Sequence, residues 1–134
     1  MKLLRFRYYR RDAFTLVEIM IVVAIIALLA AIAVPGFLRA RKRSQASTTL
    51  NDLRLLSNAI DQYAIETNKA TGSPVSTADY RAYVKAGTTL YNTAATIFGD
   101  PYGPQTVDSI PKVPPATFNA LSDVAPSTFW APYY

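Results

Sequence analysis

Residues 14–34, FTLVEIMIVVAIIALLAAIAV, form an apolar run of 21 residues that holds a single charge, Glu18. Coiled as a helix the run rises about 31 Å, close to the roughly 30 Å hydrocarbon thickness of a bilayer, so it is long enough to span a membrane. A chain of 134 residues has room for about one domain, and burying such a run inside so small a fold is the less economical arrangement. The run is flanked on both sides by bases. Lys2, Arg5, Arg7, Arg10 and Arg11 precede it against Asp12, and Arg39, Arg41, Lys42 and Arg43 follow it. The leading segment nets +4 of the chain's formal +5, which leaves +1 for everything after Ala13. The excess charge is thus local, and the chain as a whole does not read as a polyanion-binding protein. With five bases before the span and four after it, the positive-inside rule barely decides orientation. A carboxy-terminal region that translocates largely regardless of its charge favours an inside amino terminus.

The residue inventory removes much chemistry. There is no cysteine and no histidine, so there is no thiolate nucleophile, disulfide, Cys/His zinc site or imidazole base. No glycine-rich phosphate loop is present, and no serine or carboxylate pair has a catalytic context. We expect no enzyme, no cofactor and no metal site. Asp100, Asp108 and Asp123 could bind calcium, but their spacing matches no dense oxygen-ligand loop.

An ordinary secretory signal peptide competes with the membrane anchor, because Ala31-Ile32-Ala33 is a small-x-small cleavage pattern and would release a secreted binding module. Two features oppose it. The apolar run exceeds the usual 7–15 residues of such a signal, and it carries Glu18 near its start. A carboxylate at a helix centre in hydrocarbon costs about 2.5 to 3.5 kcal/mol, and less near the interface. Hydrophobicity alone would not place an acid there, so Glu18 is a functional candidate in need of a partner.

Asp12-Ala13-Phe14-Thr15-Leu16-Val17-Glu18 resembles the class III signal of type IV prepilins and type II secretion pseudopilins: a short basic leader, a small residue before the cut, then FTLVE opening an apolar helix. The likeness is detailed over residues 10–36, including Pro35-Gly36 just past the run, and looser to residue 66. Ala13 stands where the family has glycine. The resemblance implies cleavage between Ala13 and Phe14 by a prepilin peptidase, N-methylation of Phe14, and assembly into a homo-oligomeric helical filament. It also implies an assembly ATPase and an inner-membrane platform protein as partners. Phe14 and Glu18 are then one helical turn apart. The new ammonium of Phe14, on the same or a neighbouring subunit, can meet the Glu18 carboxylate, which would set axial register.

The expected organisation is a leader at 1–13, a membrane-spanning and filament-core helix at 14–34, an amphipathic helix at 35–66, and a small periplasmic head at 67–134. Pro35 lacks an amide hydrogen and Gly36 adds backbone freedom, so a helix break is expected there. Arg39, Arg41, Lys42 and Arg43 have no interleaved aromatics, which favours lipid head groups or the filament surface over DNA. A DNA-uptake pseudopilin would rest on that cluster alone. Ala46, Leu50, Leu53, Leu56, Ile60 and Tyr63 form an apolar stripe, with Asn51, Asp52, Ser57, Asn58, Asp61 and Gln62 between them and Leu55 off it.

Eight of the nine prolines fall in residues 70–134, so long elements are not expected there. Ser76–Asp79 reads as a helix start with Tyr80, Tyr83 and Val84 as its apolar face. Residues 88–91 and 105–107 read as short strands around a turn at 99–104, and a last helix is expected near 118–124. Ten of the sixteen aromatics lie in this region. They read as core and as a staple for the tail, rather than as a sugar or electron-transfer site. The fold class is α+β: a long amino-terminal helix carrying a loop-rich head. The compact, cysteine-free head tilts the reading toward a type II secretion pseudopilin over a surface pilin.

Overall fold

A computed structural model describes residues 13–134; the basic leader expected at 1–13 lies, apart from Ala13, outside them. One helix, α1 (Leu16–Thr67), supplies all of the long regular structure, and the chain divides into two units at Phe37–Leu38. In the first unit the side chains of the apolar run are exposed throughout, from Phe14 at 80% to Val34 at 51%. Among the described residues α1 is the one helix long and apolar enough to cross a membrane.

The expected break at Pro35–Gly36 is corrected by the structure: α1 is helical through both residues. Proline removes one amide donor and crowds the carbonyl four residues back, a cost of about 3 kcal/mol in a helix interior. That loss is local, and long stretches of intact helical hydrogen bonding on either side keep the backbone in register. Gly36 is not demanded by space either, since a Cβ there would meet nothing within 4 Å.

The second unit is the carboxy-terminal part of α1 and the head packed on it. After α1 come β1 (Pro74–Val75), α2 (Thr77–Arg81), α3 (Thr89–Thr93), β2 (Gln105–Thr106), α4 (Pro115–Leu121) and α5 (Ser127–Trp130). β1 and β2 pair antiparallel, with Pro74 opposite Thr106 and Val75 opposite Gln105. Bonds from Gly72 N–H to the Val107 carbonyl (3.0 Å) and from Val107 N–H to the Ser73 carbonyl (2.9 Å) extend this pairing. The α+β class therefore holds, with the head built from four short helices and one two-stranded ribbon.

The core is the apolar stripe of α1 meeting the head. Ala46, Leu50, Leu53, Leu56 and Ile60 are buried as the periodicity requires, with Thr49 and Ala59 beside them. Val75, Tyr80, Val84, Leu90, Tyr102, Val107, Val113, Leu121, Ala125 and Trp130 close the other side. Leu55 remains 41% exposed, off the stripe.

The helix start at Ser76 is as expected. The Ser76 N–H and hydroxyl both donate to one Asp79 carboxylate oxygen, at 2.8 and 2.6 Å, which closes a cap and holds the Asp79 carboxyl below the usual range. Residues 88–91, in contrast, are not a strand. Thr88 is the N-cap of α3 and its hydroxyl accepts from Tyr91 N–H at 3.2 Å. A threonine placed just before a short apolar segment caps a helix as readily as it joins a strand, because its oxygen can satisfy an orphan amide. The partner of β2 is consequently β1, upstream of α2.

The turn at 99–104 is present, with Gly99 at φ +87° and Gly103 at φ +75° supplying conformations that side chains disfavour. Thr96 N–H reaches the Asp100 carbonyl at 2.8 Å across it. The last predicted helix begins three residues early, at Pro115, where proline suits the first helical position. A further helix, α5, follows it and was not expected.

Asp52 stands corrected as well. It reads as one of the polar residues between the stripe positions, yet it is only 8% exposed. It sits at the edge of the stripe next to Leu56, and Tyr102 from the 99–104 turn covers it, with its hydroxyl donating to Asp52 Oδ2 at a long 3.5 Å. Burial pushes the Asp52 carboxyl above its ordinary value, because water is withdrawn from the charged form faster than one phenol replaces it. Burial beside that carboxylate raises the Tyr102 phenol too. A folded-state carboxyl above its unfolded value contributes stability that is present below the unfolded value and lost as pH rises through the folded one. Asp52→Asn is therefore expected to make the head more stable than wild type at pH 7, with the gap closing as pH falls toward the carboxylate range. Chemical denaturation of both proteins at several pH values measures this, and a variant less stable than wild type at pH 7 would refute it.

Candidate functional site

Ala13, Phe14 and Thr15 precede α1 in exposed, non-helical chain. The Ala13–Phe14 peptide bond thus lies in exposed chain ahead of the helix. Phe14 then leads directly into α1, and Glu18 lies in its first turn. The two residues line one shallow groove together with Ile19, Ile21 and Val22.

Glu18 has a partner that sequence reasoning missed. Thr15 N–H and the Thr15 hydroxyl both donate to Glu18 Oε2, at 2.7 and 2.8 Å, and Glu18 N–H donates back to Thr15 Oγ1 at 3.2 Å. This is a reciprocal capping box. Its pattern, Thr15-x-x-Glu18, was visible in the sequence as a threonine three residues before an acid at the head of an apolar run. Among the described residues the acid is thus met locally, by neutral donors. Negative charge in the first turn also suits the amino-terminal end of the helix dipole.

The remaining sequence candidates separate. Pro35 and Gly36 lie inside α1 and bring no other group with them. Of the three aspartates weighed for calcium, Asp100 accepts from Thr117 Oγ1 at 2.6 Å, Asp108 from the Thr71 hydroxyl, and Asp123 from Lys42 Nζ. Each is held at its own place, and no cluster of three acids that could hold a metal occurs among the described residues. The aromatics divide between core and tail. Trp130, Tyr80 and Tyr102 are buried, Tyr134 rests on Phe118 with ring centroids 4.9 Å apart, and the Tyr133 carbonyl accepts from Val113 N–H at 2.8 Å.

A peptide bond in exposed chain, an acid one turn beyond it, an exposed apolar helix long enough to cross a membrane and a small closed head are the features the site offers. Residues 9–34 match the prokaryotic N-terminal methylation motif. Over 60 residues the chain is 32% identical to the type II secretion system core protein G of Aeromonas hydrophila, covering 45% of this chain and 42% of that protein. It is 43% identical over 60 residues to the type IV major pilin protein PilA of Myxococcus xanthus, covering 45% of this chain and 27% of the relative. To a type IV major fimbrial protein FimA of Dichelobacter nodosus it is 37% identical over 79 residues, 54% of this chain and 51% of the other. The likeness thus spans about half or less of the relatives' own length. No solved structure matches the chain. The chain thus carries the amino-terminal methylation motif, and over about half of its own length it is similar to type IV pilins and type II secretion core proteins.

Proposed function

We propose that this chain is the structural subunit of a pilin-like filament, a type II secretion pseudopilus or a type IV pilus. The observation that carries the reading is the exposed apolar length of α1. The head closes its own core without residues 14–34, so this surface is free to serve first as a membrane anchor and then as filament core. In this reading a prepilin peptidase cuts between Ala13 and Phe14 at the cytoplasmic face. The new Phe14 amino group is methylated, and the head stands on the periplasmic side. Glu18, whose carboxylate accepts from Thr15 among the described residues, gains the Phe14 ammonium of its own or a neighbouring subunit during assembly. An assembly ATPase and an inner-membrane platform protein supply energy and a base for growth, and the bilayer holds the waiting subunits. The chain itself performs no catalysis in this scheme.

The intact mass and amino-terminal residue of the protein recovered from membranes test this directly. The expected result is a chain beginning at methylated Phe14. A chain beginning at Val34 would make it a secreted module with an ordinary signal peptide, and a chain beginning at Met1 would make it a plain anchored protein.

A further inference from the structure

The bases that follow the apolar run are not equivalent once the head is in place. Arg39 and Arg43 are one turn apart on α1 and line a cleft of about 390 Å³ with Ala40, Asp123 and Val124. Arg41, two residues from Arg39, is turned by about 200° and lies on the opposite side of the helix. Lys42 does not share the cleft's free charge. Its Nζ donates to both oxygens of Asp123 at 3.0 Å, and the two side chains are 43% and 52% exposed. Asp123 is set in place from the head. It follows α4 in a segment where Val124 and Ala125 N–H bond to the Leu121 carbonyl, and the Ala125 carbonyl accepts from the buried Trp130 Nε1–H at 3.0 Å.

Lys42 bonds Asp123 and holds its carboxyl below the usual carboxylate range, where Arg39 lowers it further. Two guanidinium groups line an open cleft whose other walls are Ala40, Val124 and that carboxylate. Two guanidiniums match a phosphate geometrically, since each presents a planar fork of donors. The cleft begins five residues past the end of the apolar run, where a helix leaving hydrocarbon enters the head-group layer. We propose that Arg39 and Arg43 form a binding site for the phosphate of an anionic phospholipid, and that the Lys42–Asp123 pair limits how strongly it binds. The site rests on the membrane-anchored reading above. It would fix the rotation of the waiting subunit about its own axis, because only one side of the helix is held to the head-group layer.

The test uses the full chain in mild detergent, titrated with phosphatidylglycerol or phosphatidylcholine and read by native mass spectrometry of bound lipid. Phosphatidylglycerol should bind in preference, and R39A and R43A should each weaken it by about fivefold, the worth of one base near an anionic surface. R41A, which removes the same charge from the opposite side of the helix and outside the cleft, should weaken it clearly less than either. Asp123→Asn, which releases Lys42, should tighten binding. An equal loss in R41A would reduce the site to a diffuse basic collar and overturn the proposal, as would weaker binding in D123N or no preference for the anionic lipid. Soluble glycerol phosphate binding as tightly as the lipid would replace the membrane ligand by a free anion and overturn it too. A chain that fails to enter micelles at all would instead sink the membrane-anchored reading.

Discussion

Replacing Glu18 with alanine is expected to stop incorporation into filaments while leaving the precursor cut at the Ala13–Phe14 bond. The peptide bond lies in exposed chain ahead of α1, so the peptidase has no need of the Glu18 side chain to reach it. In the assembled state the carboxylate would face an ammonium away from water. Removing one member of such a pair strands the other charge, at a cost of about 3 to 5 kcal/mol, or a hundredfold and more in association. The variant also loses the capping box with Thr15, which by itself costs about 0.5 to 2 kcal/mol of helix start. Glu18→Gln separates the two effects, because glutamine serves in a capping box but carries no charge. Both variants should accumulate as processed protein in the membrane fraction and be missing from sheared filaments. If Glu18→Gln assembles like wild type, the acid acts as a cap and not as a charge partner.

The second large effect is expected at the far end of the chain. Trp130 is fully buried, lies edge-on to Phe129 with centroids 5.3 Å apart, and ties the segment after α4 through its bond to Ala125. Trp130→Ala should destabilise the head by about 3 to 5 kcal/mol, the usual cost of emptying a large aromatic site. Against a typical total of about 5 to 15 kcal/mol, that leaves little margin. Trp130 is the chain's one tryptophan, so near-ultraviolet circular dichroism of the tyrosines or pulse proteolysis of the head is the suitable measure. A loss under about 1 kcal/mol, within the range of surface substitutions, would contradict the packing described. The same variant should loosen Asp123 and with it the Lys42 pairing, although α1 stays intact.

How much of this was legible depends on whether a residue's job is set by its neighbours in sequence. The stripe Ala46, Leu50, Leu53, Leu56 and Ile60 was, because a helical period decides which side chains share a face before any partner is known. The turn at 99–104 was, because Gly99 and Gly103 adopt backbone angles that other residues resist. The Thr15–Glu18 box was equally local and simply went unread. Residues 88–91 failed for another reason. Thr88, Thr89, Leu90 and Tyr91 suit a strand by propensity, but the Thr88 hydroxyl accepts from Tyr91 N–H and starts a helix there instead. Asp52 failed because its burial comes from a tyrosine fifty residues away.

The sequence alone determined that the chain carries a rod able to span a membrane, that an acid marks its first turn, and that the rest is a small head on an amphipathic helix. These follow from hydrophobic length and period, which are properties of consecutive residues. Only the tertiary structure decided that the helix runs through Pro35, that Asp52 is under Tyr102, and that Lys42 bonds Asp123 while Arg39 and Arg43 line the cleft beside them. The continuity at Pro35 reflects a single lost hydrogen bond weighed against many kept ones. The other two depend on groups brought together from opposite ends of the fold, and no local pattern encodes such a meeting.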